Sequence, residues 1–145
     1  MARSRYYSQM LRLSWSVTRI LSGVILALML RGGAVAGPLE DAWTAYKRGD
    51  FATALEIWRP RATQGVAFAQ LNVGIMYYSG QGVPQDYVQA YMWVDLAASR
   101  FPPSAREDRD EAANNRNVVA SKMTREQLAE AKKLLREWRP KGPTR

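Results

Sequence analysis

The sequence predicts an all-α domain, a short solenoid of antiparallel helix pairs with about six helices. Three observations carry that reading. Residues 69–98, AQLNVGIMYYSGQGVPQDYVQAYMWVDLAA, read as a helix, a glycine-punctuated loop and a second helix. Part of the pattern recurs at an offset of 36: Asp50 matches Asp86, Phe51 matches Tyr87, Ala54 matches Ala90 and Ala62 matches Ala98. A period in the thirties with helix–turn–helix content is the signature of stacked helical repeats. Beyond Thr124, Leu128, Ala131, Leu134, Leu135 and Trp138 recur at three- and four-residue steps, the spacing of one helix face.

The elements follow in order. Residues 1–19 contain Arg3, Arg5, Arg12 and Arg19 and no acid, and 20–30 are an uncharged apolar run of eleven. Ala34-Val35-Ala36 follows, so 1–36 has the three parts of a secretory signal peptide, with cleavage expected after Ala36. A spanning helix needs about 20 apolar residues. The expectation is therefore an exported protein, periplasmic or secreted, with no stable membrane span after cleavage. The alternative is an inner-membrane anchor formed by an uncleaved leader, and Arg31 between the apolar run and the cleavage site favours it.

A first helix is expected from about Leu39 to Arg48, with Ala42, Ala45 and Tyr46 inward. Gly49 and Asp50 make a tight turn, Asp50 capping a second helix from Phe51 to about Thr63. Ala54, Leu55, Trp58 and Ala62 form its inner stripe, and Pro60 is expected to kink it. Gln64 and Gly65 end it. In the third helix Ala69 and Gly74 are small enough for a close neighbour. Gly74 costs roughly 1 kcal/mol of helix propensity against Ala, so packing is its reason. Gly80 and Gly82 end that helix and Pro84 cannot continue it. Asp86 caps the fourth helix, whose stripe is Ala90, Trp93 or Val94, and Ala97. Phe101-Pro102-Pro103 breaks it. Residues 104–122 are polar and helical, with Ala105, Ala112, Val119 and Met123 on one side. Thr124 and Gln127 then have capping-box spacing.

The residues Ala69, Gly74, Tyr77, Gly80, Gly82, Val83, Asp86, Ala90, Trp93, Ala97 and Ala98 together resemble a Sel1-like repeat, a relative of the tetratricopeptide repeat, of a secreted proteobacterial type. The resemblance implies a right-handed solenoid and a scaffold that binds protein or peptide partners, with no cofactor and no chemistry of its own. It implies units at 37–65, 66–100 and a diverged capping unit at 101–140, with a loose tail at 141–145. Some secreted relatives staple each repeat with a disulfide; this chain has no cysteine.

Composition narrows function further. With no histidine and no cysteine, Ser-His-Asp and Cys-His nucleophiles, most zinc sites and thiol redox chemistry are excluded. The net charge of +8 includes five arginines of the leader; without it 16 basic residues face 13 acidic ones, which is no argument for nucleic acid. Glu107, Asp108, Asp110 and Glu111 are the carboxylates for an alternative, acid–base enzyme on cell-wall peptides or glycans, and Asp108 and Glu111 can share a face. In solenoids of this type the first helix of each pair lines the concave side. There Leu71, Ile75 and Tyr78, flanked by Lys47, Gln70 and Asn72, are the candidate partner-binding groove.

Overall fold

The computed structural model describes residues 37–142; the leader reading and the last three residues lie outside the described region. The described residues form α1 (Pro38–Lys47), α2 (Phe51–Thr63), α3 (Ala67–Ser79), α4 (Tyr87–Arg100), α5 (Arg106–Ala120) and α6 (Arg125–Glu137). They stack as an all-α solenoid. No helix among them is long and apolar enough to cross a membrane.

Local chemistry sets the boundaries. Proline at the start of α1 and Glu40 and Asp41 in its first turn suit a helix N-terminus. Gly49 turns the chain at φ 80°, and the Asp50 carboxylate accepts the Thr53 N–H at 3.2 Å. Helix α2 carries through Pro60 and buries Ala54, Leu55, Trp58 and Ala62, the expected stripe. Gly80 caps α3 in the left-handed region at φ 68°. Asp86 then caps α4 by accepting the Gln89 N–H at 3.0 Å. Helix α5 is two residues shorter at each end than expected. Thr124 and Gln127 make both bonds of the capping box that opens α6.

The long loop between α3 and α4 is locked to the first pair. The Tyr46 hydroxyl donates to Gln81 Oε1 at 2.6 Å. Gly82, at φ 73°, lies so close to the start of α2 that a Cβ there would stand 3.0 Å from the Phe51 carbonyl oxygen. Gly82→Val combines strained backbone with a backbone clash, so it is expected to cost about 1–3 kcal/mol. Urea denaturation checks this, and an unchanged midpoint refutes it. Gly74 serves the other purpose foreseen for it. A Cβ on it would stand 2.5 Å from Val94 Cγ2, so its absence sets how closely α3 and α4 cross.

Three apolar clusters fill the stack. The first joins α1 to α4 around Trp58, Val73, Met76 and Trp93, with Leu134 and Leu135 of α6 and Trp138 just past its end against it. The second joins Leu71 and Ile75 to Val94, Ala97 and Ala112. The third joins Ala90, Tyr91 and Val119 to Ala131, with Leu128 packed alongside.

Two expectations need correction. Unit three is not a close helix pair: α6 packs on α4, and α5 and α6 scarcely touch along their backbones. The chain after α6 is not loose at Lys141 either. Its N–H donates to the Thr63 carbonyl at 2.8 Å, tying the tail to the end of α2.

Candidate partner-binding face

The residues expected to form a groove are mostly core. Leu71 is fully buried, and so is Gln70, whose Nε2 donates to the Ala62 carbonyl at 3.0 Å. Asn72 is also buried, with its Nδ2 donating to the Phe68 carbonyl at 2.8 Å. The physical reason is packing from several sides. Gln70 turns onto α2 through the Ala62 carbonyl. Leu71 and Ile75 join Val94, Ala97 and Ala98 of α4 and Ala112 of α5 in the second cluster, so the stripe faces helices rather than solvent. Gln70, Leu71 and Asn72 are therefore withdrawn as groove residues. Lys47 stays exposed on α1, its ammonium 5.9 Å from the Trp43 ring centre.

Ile75 and Tyr78 keep part of the expected role. With Val94, Asn115, Val118 and Val119 they line a crevice between α3, α4 and α5 of about 10 Å³. That is room for about one water, not a substrate. Val118 on α5 is 40% exposed, one of two large apolar side chains left in solvent among the described residues. Asn115 is 4% exposed and its Nδ2 has no hydrogen-bond partner. Sequence reasoning missed Asn115, Val118 and Val119 as lining. The signal was the α5 stripe: Asn115 stands three residues after Ala112 and four before Val119, on the same face, whereas Asn114 and Asn117 do not.

The charged groups nearby are arranged on α4 and α5. Arg116 of α5 reaches Asp95 of α4 at 3.0 Å, a half-buried pair. Burial raises the Tyr91 hydroxyl pKa, Asp95 adds to that, and Arg116 opposes it. Burial, then the neighbouring Asp108, pushes the Glu111 carboxyl up to about 7. Asp108 and Glu111 thus do act on each other, but neither lines the crevice. Among the described residues no group of histidine, aspartate or glutamate is placed to hold a metal ion.

The raised Glu111 has a stability consequence. Its folded pKa lies above the usual 4.5, so the folded state holds the proton more tightly. Its favourable contribution is complete below about pH 4.5 and is lost as pH rises to about 7. Glu111→Gln should therefore stabilise more at pH 8 than at pH 5, by about 1 kcal/mol for a half-exposed, solvent-screened carboxyl. Melting curves at the two pH values check this; an equal shift at both refutes it.

Residues 67–100, the whole of α3, its loop and α4, match the family model described as Sel1 repeat. The chain thus carries a Sel1 repeat. The solved structure of c5321, a protective antigen present in uropathogenic Escherichia coli strains displaying an SLR fold, is similar to it at 31% identity and a TM-score of 0.59. The similarity covers 70% of this chain and 21% of that one, so the chain spans about a fifth of the length of c5321. No curated protein matches the sequence significantly.

Within the Sel1 repeat the motif residues divide by task. Ala69, Ala90, Trp93, Ala97 and Ala98 are buried where helices meet. Gly74 permits the α3–α4 approach, Gly80 and Gly82 take positive φ, and Asp86 caps α4. Tyr77 is half-buried, and its hydroxyl accepts from Arg59 at 3.0 Å. These positions build the repeat through packing, turn geometry and capping.

Proposed function

We propose that this Sel1-like protein is a non-catalytic scaffold that binds a protein or peptide partner in the bacterial cell envelope. The observation that carries the reading is the α3–α5 crevice. Exposed Val118 stands on its edge, Ile75 and Tyr78 form its wall, and the buried Asn115 amide offers an unused donor. Leaving such a donor unmatched costs about 1–3 kcal/mol. A partner's main-chain carbonyl oxygen, about the size of the one water the crevice admits, would accept from Asn115 while an apolar side chain of the partner rests on exposed Val118 outside it. The match to a repeat used by interaction scaffolds supports the same reading.

The envelope location rests on the leader pattern of residues 1–36. The description of c5321 as a protective antigen fits an exported relative. N-terminal sequencing of the exported protein is expected to begin at Gly37. Recovery of the full-length chain from inner membranes would instead support the anchored form.

A second reading, a carboxylate-dependent enzyme on cell-wall peptides or glycans, has one observation in its favour, the raised Glu111 beside Asp108. The crevice argues for the scaffold, because it is of single-water size and excludes that pair.

The test is capture from periplasmic extract by residues 37–145, beside Val118→Asp and Glu111→Gln. The scaffold reading expects a partner that Val118→Asp loses and Glu111→Gln keeps. A partner held equally by wild type and Val118→Asp would overturn the crevice as the binding face. Cleavage of cell-wall fragments that depends on Glu111 would overturn the non-catalytic reading.

A further inference from the structure

The charge of this chain is divided by position. Residues 37–121 carry eight basic and ten acidic side chains, whereas 122–145 carry eight basic and three acidic. Lys122, Arg125, Lys132, Lys133, Arg136 and Arg139 are all exposed. The excess therefore belongs to α6 and its flanks.

On α6 the charges are sorted. At 3.6 residues per turn, Arg125, Lys132 and Arg136 fall within an arc of about 40° and form one edge of the wet face. Glu126, Glu130 and Glu137 form the other edge. Lys133 lies beside the acids, 3.9 Å from Glu130. Among the described residues Arg125, Lys132 and Arg136 make no ion pair within 4.0 Å.

The helix holds this pattern against part of its own stability. Arg125 is the first residue of α6, where the helix dipole disfavours a cation. Lys132 and Arg136 are a like-charge pair at i, i+4 and repel each other. Dipole complementarity explains Arg136 near the C-terminus but not a basic edge running the length of the helix.

Resting on the scaffold reading above, we propose that the Arg125–Lys132–Arg136 edge of α6 is a second contact surface, which docks an acidic segment of the protein partner. The spacing defines what fits. Along the helix axis the three cations stand about 10 Å and about 6 Å apart, so the partner presents carboxylates in that register. A helix with acids at i, i+4 and i+11 meets it. A lipid surface does not fit as well: the apolar face of α6 is turned into the domain, against α4, leaving no apolar side to insert. The edge of Glu126, Glu130 and Glu137 would also repel a sheet of phosphates.

The test is fluorescence anisotropy at low salt with a labelled helical peptide of about twelve residues bearing glutamates in that register. A second peptide has the same composition with the glutamates adjacent. The protein is compared with Arg125→Gln/Lys132→Gln/Arg136→Gln and with the control Arg48→Gln/Arg106→Gln. The expected result is binding of the registered peptide over the adjacent one. The triple variant should bind at least tenfold more weakly, the control should be unchanged, and added salt should weaken the wild type steeply. Melting temperature should hold or rise in the triple variant, because repulsion is relieved. Equal binding by wild type and triple variant, equal loss in the control, or no preference for register would overturn the proposal. So would binding to phosphatidylglycerol vesicles without binding to the peptide. A partner from extract that Val118→Asp loses and the triple variant keeps would sink this surface while leaving the scaffold reading intact.

Discussion

Trp58→Ala is expected to remove about 3–5 kcal/mol of stability, the usual cost of emptying a buried aromatic site. Trp58 has no exposed surface and stands at the centre of the first cluster. Its ring lies 5.7 Å from Tyr46, 6.4 Å from Phe68 and 6.5 Å from Trp43, so it joins α2 to both α1 and α3. Neighbours on two other helices cannot all collapse into the space it leaves, and a cavity persists. For a domain near the lower end of the usual range of about 5–15 kcal/mol, the loss approaches global unfolding. Trp58→Phe separates two contributions. The indole Nε1 is buried without a hydrogen-bond partner, so phenylalanine loses volume but also removes a stranded donor. Its cost should be well under half that of alanine. Urea denaturation followed by far-UV dichroism measures both. A native-like alanine variant at room temperature with less than about 1 kcal/mol lost would show the residue to be peripheral.

The same residue illustrates what was legible in the sequence. Ala54, Leu55, Trp58 and Ala62 sit at helical spacing between a cap signal and a glycine, so local rules sufficed. The caps at Asp50, Asp86 and Thr124 and the glycines at 80 and 82 are equally local, each needing only its own chemistry. The groove failed for a non-local reason. Leu71, Ile75 and Tyr78 are correctly a second stripe on α3, but whether a stripe is open depends on what packs against it. Here the neighbour is α5, a helix polar enough to read as solvated over Arg106–Arg116. It buries Ala112, Asn115 and Val119 beneath that polar surface. An α3 apolar nearly all round already argued for burial on every side. The crevice was hidden for the same reason: its lining comes from three helices, and single-helix periodicity cannot assemble it.

Truncation before Thr124 is expected to leave an aggregating or molten chain. Helix α6 closes two clusters at once, Leu134, Leu135 and Trp138 against the first and Leu128 and Ala131 within the third. Only Ala131 is fully buried, and the larger side chains are half-buried. Each half-buried leucine contributes about 1 kcal/mol of burial rather than the full value. Trp138 contributes more than its area. Its ring meets Trp93 edge-to-face at 6.4 Å, and the Arg100 guanidinium lies 4.2 Å from its centre. Such aromatic and cation–π contacts are worth about 0.5–2 kcal/mol each. The tail bond from Lys141 to Thr63 then pins the end of α6 beside α2. Together these are comparable to the whole stability of a small domain, so losing them exposes Trp93 and Tyr91 on α4 and unfolds or aggregates what remains. Trp138→Ala is the graded version, expected to cost about 2–4 kcal/mol while leaving a folded monomer. Arg136→Glu, on the wet face of the same helix, should move stability by under about 1 kcal/mol. Light scattering and thermal melts of the three variants rank them. If the truncated chain stays monomeric and melts cooperatively at the wild-type temperature, α6 is an appendage, and the solenoid ends at α5.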